Sequence, residues 1–146
     1  MTYDNTPPET THRRWRTILA AWVIGFLIGT TTHIADLVAG GLQTYAEFPT
    51  PLRLFWISLT VLDPITVALL LLRQRTGIVL ALIVILTDIA VNWTVFLTLA
   101  GNPLFGVVNQ TVFAAFLLVT TPTLWRSFQG RRGDGRPDRE SSSEET

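Results

Sequence analysis

The chain has 146 residues, 48% of them hydrophobic, with no cysteine and eleven basic against eleven acidic residues; its mean hydropathy is +0.37. That balance is too apolar for an ordinary soluble domain and points to a membrane. The lack of cysteine excludes disulfides, thiolate metal sites and thiol redox chemistry, and with them the disulfide-forming four-helix membrane oxidoreductases.

Residues 1–14 hold Pro7, Pro8 and several Thr with little apolar content, and read as a disordered N-terminal segment. Four apolar runs follow, at about 15–37, 53–72, 77–99 and 106–125, each close to the ~20 residues a helix needs to cross ~30 Å of hydrocarbon. A soluble bundle would carry a polar residue every third or fourth position on its outer face. The stretches from Val67 to Leu72 and from Ile78 to Leu86 carry none. The expected fold is therefore all-α, an integral membrane four-helix bundle over 15–125.

The first run follows Arg13–Arg14, loosely in the manner of a twin-arginine leader, but it outlasts the core of a cleaved signal and holds His33 and Asp36, so it is expected to be retained. Gly25 and Gly29 form a small-xxx-small pair that lets helix backbones approach closely. They share a stripe with His33 and Asp36, which should face protein rather than lipid. In the 38–52 connection, Phe48–Pro49–Thr50–Pro51 disfavours a helix and predicts extended backbone capping the bundle. Trp15 and Trp125 at one boundary and Trp56 near the other are expected to form an aromatic belt, with Tyr45 and Phe48 at headgroup level.

Asp63 lies in the second run, one helical turn from Thr60. Pro64 follows it, removes a backbone donor and predicts a kink. The third run places Asp88 and Asn92 at i,i+4, on one face. Asn109 and Gln110 open the fourth run, where they suit interhelical hydrogen bonding, and Pro122 predicts a local bend near its end. Residues 126–146 read as a disordered tail.

All eleven basic residues are Arg, as in a GC-rich genome, and only Arg53 departs from a one-sided distribution. By the positive-inside rule both termini and the Arg73–Gln74–Arg75 turn are cytoplasmic, and the 38–52 and 100–105 connections lie outside. The expected location is the bacterial plasma membrane, the cell inner membrane, with lipid as the immediate partner. A second copy or another membrane protein is a further candidate partner. The Arg residues of the tail are interleaved with Asp and Glu, so nucleic acid is not expected.

Counting the rise per residue places Asp63 and Asp88 at the midplane, Asn92 about 6 Å outward, His33, Asn109 and Gln110 about 8–10 Å outward, and Asp36 near the outer boundary. A carboxylate at mid-depth costs roughly 2.5–3.5 kcal/mol on insertion scales, so its position calls for a compensating role. The expectation is a polar, outward-opening cavity in which Asp63, Asp88, Asn92, His33 and Asp36 bind or pass a small solute or proton. Facing carboxylates would share a proton there. The competing expectation is that each acid is satisfied by Thr60, Thr87, Asn92 or Trp93 and only sets helix register. The chain would then be a non-catalytic assembly or accessory subunit whose Gly25/Gly29 face meets another protein. No His-Glu-x-x-His helix, nucleophile elbow or phosphate-binding loop occurs, so no catalytic residue, cofactor or metal is assigned; a lipid-acting enzyme ranks third.

Overall fold

The computed structural model describes residues 9–99 and 104–129. It consists of α1 (Glu9–Gly40), a short 3-10 turn (Gly41–Gln43), α2 (Thr50–Leu71), α3 (Arg75–Leu99) and α4 (Leu104–Ser127). All four helices are long and apolar enough to cross a membrane. Even α2, with 22 residues, reaches about 33 Å at 1.5 Å per residue.

The helices run past the expected ends in several places, α1 as far as Gly40 and α4 to Ser127, the latter inside the segment expected to be a disordered tail. α1 begins at Glu9, inside the segment read as disordered. α2 begins at Thr50, inside the proline-rich segment read as extended. Pro49 sits at the N-cap and Pro51 in the first turn, where the missing N–H has no intrahelical partner to lose. The prolines thus start the helix. Residues 1–8, 100–103 and 130–146, including most of the tail read as disordered, lie outside the described residues. α2 continues unbroken through Pro64, which is exposed on the outside of the bundle.

Each helix packs most closely on its neighbours in the chain, and α4 closes back on α1 through the thinnest of the four seams. Polarity is inverted relative to a soluble bundle. Ile24, Val61, Ile83 and Val119, one on each helix, are more than half exposed, whereas Asp63, Thr66, Asp88 and Asn92 are buried. Aliphatic surface on every helix is what chains surrounded by hydrocarbon present.

The two ends of the bundle are built differently. At one end Arg73, in the left-handed region with φ 55°, sets its guanidinium 4.5 Å from the Trp15 ring centroid and 5.9 Å from that of Phe128. Its Nη2 donates to the Ser127 carbonyl at 3.0 Å, one of the carbonyls that the end of α4 leaves without a helical partner. Arg75 lies 4.9 Å from the Trp125 centroid. The α2–α3 turn is thereby clamped to both α1 and α4. Above the clamp the interior is dry: Trp22 is fully buried with Leu70, Ile78, Leu117 and Leu124, and its Nε1 donates to Thr120 Oγ1 at 2.9 Å.

Gly77 brings α3 against α2. A Cβ there would lie 2.9 Å from backbone atoms of Leu69 and Leu70, which cannot swing aside as a side chain can. Gly77→Ala is therefore expected to destabilise the bundle by about 1–3 kcal/mol, read as a lower thermal unfolding midpoint in detergent; an unchanged midpoint would contradict the packing described.

Candidate functional site

Beyond Trp22 and Phe26 the bundle is hollow. A cavity of about 920 Å³ is walled by all four helices and by the 41–49 connection. His33 and Asp36 from α1, Asp63 from α2, and Asp88 and Asn92 from α3 all stand in its wall. The five polar residues singled out in the sequence thus converge on one space.

The two central acids are held differently. Asp88 is one turn from Asn92, whose Nδ2 donates to Asp88 Oδ1 at 2.8 Å and to Gln110 Oε1 on α4 at 2.9 Å. Trp56 Nε1, on α2, donates to Asn92 Oδ1 at 3.3 Å. One carboxamide therefore joins three helices, with its oxygen and its amino group both engaged. Asp63 is 4% exposed and makes no hydrogen bond with any described residue. Its carboxyl stands against α1 at Gly29, where a Cβ would lie 2.8 Å from Asp63 Oδ2. Any side chain at position 29 would intrude on the acid.

The other partners expected for the acids are engaged elsewhere or not at all. The Thr60 hydroxyl is buried without a hydrogen bond, Thr87 is exposed, and Trp93 Nε1 donates to Thr111 Oγ1 at 3.0 Å. Of the four, only Asn92 serves, and it serves Asp88. His33 contributes a further unmatched group, because its Nδ1 is buried without a partner.

The 41–49 connection covers the end of the bundle opposite the Arg73 clamp. Tyr45 OH donates to Asp36 Oδ2 at 2.7 Å, and Thr44 Oγ1 donates to the Asp36 carbonyl at 2.7 Å. Burial, reinforced by that bond to Asp36, raises the Tyr45 phenol above its ordinary pKa and keeps it a donor. The rings of Tyr45 and Phe48 pack on Trp56 with centroids 5.1 and 4.9 Å away. Trp56 is accordingly 5% exposed and part of the cavity wall, not of a lipid-facing belt. Trp56 and Asp63 are seven residues apart on one helix, which puts them on the same face. That spacing was the signal available in the sequence.

The glycine stripe packs within the chain. A Cβ at Gly25 would overlap the ring of Phe113 on α4, and Gly29 meets Asp63. The Phe113 ring also meets Phe26 edge to face, 5.9 Å between centroids. Pro64, one residue from Asp63, points away from the cavity and is exposed.

Three carboxylates and one imidazole stand in the wall with no Arg among the described lining residues. Such a space favours a cation or a hydrogen-bond donor over an anion. Among the described residues no three His, Asp or Glu side chains are grouped so as to hold a metal ion. Comparison with protein-family models, with curated proteins and with solved structures found no match for this chain.

Asn92→Ala removes the junction of α2, α3 and α4 and leaves the Asp88 carboxyl buried without its donor. A loss of about 1–3 kcal/mol in unfolding free energy is expected, and a smaller loss for Gln110→Ala, which deletes a single bond. Equal effects of the two substitutions in detergent unfolding would contradict a junction centred on Asn92.

Proposed function

We propose that this chain is a multi-pass protein of the bacterial plasma membrane, both termini cytoplasmic, whose cavity opens toward the outer side and binds or passes a small cationic or hydrogen-bond-donating solute, or a proton. Asp63 and Asp88 carry the site, Asn92 holds Asp88 in place, and His33 and Asp36 extend the polar wall. The observation that carries this reading is the state of Asp63: a buried residue whose carboxyl faces a roomy cavity and takes no hydrogen bond from any described residue. Burying such a group is costly unless something pairs with it, and a bound donor or a transferable proton meets that need.

The orientation rests on the charge rule. Arg73, Arg75 and Arg126 gather at the clamped end with Trp15 and Trp125, which suits a cytoplasmic boundary. The hollow end then faces outward.

The alternative is an accessory subunit in which the polar groups only join helices. The Asn92 junction favours it, since every bond described there is internal. Asp63 does not fit that role, and the Gly25/Gly29 face through which a partner would dock is already covered by Phe113 and Asp63.

In purified protein, Asp63→Asn and Asp88→Asn should preserve membrane insertion and melting behaviour yet abolish stabilisation by small amines in a thermal-shift screen, or proton uptake on a pH jump. Loss of one charge-assisted hydrogen bond corresponds to about 1.5–3 kcal/mol, at least about tenfold in affinity. Unchanged affinity and proton stoichiometry in both variants would defeat the proposal.

A further inference from the structure

The cavity wall is sealed on two of its helices and open on the other two. Every wall residue from α2 and α3 is buried, Leu59, Val84 and Ile85 as well as the polar groups. On α1 and α4, by contrast, Ile28, Thr32, Asn109 and Val112 belong to the wall and are also exposed on the outside of the bundle, Ile28 and Val112 to 63% each. Residues that are in a cavity wall and on the outer surface together form the rim of an opening.

That opening has a physical origin. The α1–α4 seam is the thinnest in the bundle, and the contacts described across it lie toward the clamped end: Trp22 on Thr120, and Gly25 and Phe26 on Phe113. Past Phe113 no hydrogen bond or ring contact among the described residues joins the two helices. The end of the bundle is meanwhile overlain by the Tyr45 tie to the exposed Asp36 and by the rings stacked on Trp56, a partial cover and not a seal.

The surface around the rim is hydrocarbon in character. Ile24 is 56% exposed and Phe105 83%, on α1 and α4 respectively. A solute dissolved in water meets an apolar flank there, whereas one dissolved in lipid meets a doorway. Inside, apolar side chains such as Leu59, Val84 and Phe116 share the wall with Asp63. At about 920 Å³ the space falls within the ~300–1,000 Å³ of pockets that hold drug-sized molecules.

We infer that the ligand is a membrane-dissolved amphiphile, with a cationic or hydrogen-bond-donating head and one apolar body, which enters sideways between α1 and α4 and places its head at Asp63. This rests on the reading of the cavity as a binding site and adds the ligand's chemical class and its route. Protonated dodecylamine is a suitable probe; propylamine, with the same head and little apolar body, is its water-borne counterpart.

The test uses the full chain in nanodiscs of zwitterionic lipid, with binding followed by intrinsic fluorescence, since Trp56 stands in the wall. Dodecylamine should bind saturably, and Asp63→Asn should remove that binding. Ile28→Phe with Val112→Phe, both at exposed rim positions, should slow dodecylamine association by about tenfold with an unchanged melting temperature. Tyr45→Phe, which loosens the end cover, should leave that rate unchanged. Asp63-dependent binding of propylamine as tight as that of dodecylamine, or association insensitive to the rim and faster in Tyr45→Phe, would overturn side entry while sparing the binding site. Binding of neither amine, or binding indifferent to Asp63, would overturn both.

Discussion

Placing a carboxyl group among aliphatic helices is the constraint around which this structure is arranged. An acid in such surroundings needs a donor, a proton or a route to water, and the two acids meet the requirement in different ways. Asp88 takes a donor from its own helix one turn away, and the same Asn92 side chain reaches Gln110 and Trp56, so the group that satisfies the acid also sets the positions of α2 and α4 around α3. Asp63 takes space instead of a donor. Gly29 leaves the gap in which its carboxyl stands, and the cavity begins there.

The rest of the bundle supports that division. A hollow half holds its helices by few contacts, here chiefly the Asn92 junction, so the other end must supply close packing. There the Arg73 guanidinium bridges two aromatic rings and the Ser127 carbonyl at the end of α4, cation–π contacts strengthen with desolvation, and Gly77 lets two backbones touch. Fully buried Trp22 separates this dry half from the hollow one. A bundle stiff at one end and loosely joined along a single seam at the other can admit a ligand without coming apart.

Much of this was readable in the amino-acid sequence, because helix rise and apolar run length depend on nothing beyond the chain itself. The four helices follow from their runs, and counting residues puts Asp63 and Asp88 at one level with Asn92 and His33 toward the same end of the bundle. What pairs with what depends on how each helix is rotated about its axis, which run length does not record. From the sequence Asn92 is therefore one helper among four when it is the junction, and its distance from a span end puts Trp56 at a boundary although its spacing to Asp63 places it on the inner face. Pro49 and Pro51 were read as helix breakers because the rule against proline applies to helix interiors and not to first turns. Arg73 counted only as a charge, since a left-handed residue stacked between Trp15 and Phe128 leaves no mark in composition.

The central claim is that Asp63 of α2 and Asp88 of α3 stand in the wall of one shared space inside the bundle. The chain contains no native cysteine, so a double variant carrying Asp63→Cys and Asp88→Cys presents only the two introduced thiols. After treatment with a short bifunctional thiol reagent and tryptic cleavage at Arg73 and Arg75 under denaturing conditions, the fragments bearing α2 and α3 should remain covalently joined. Fragments that separate, with each thiol modified singly, would show that the two positions face apart and would contradict the account.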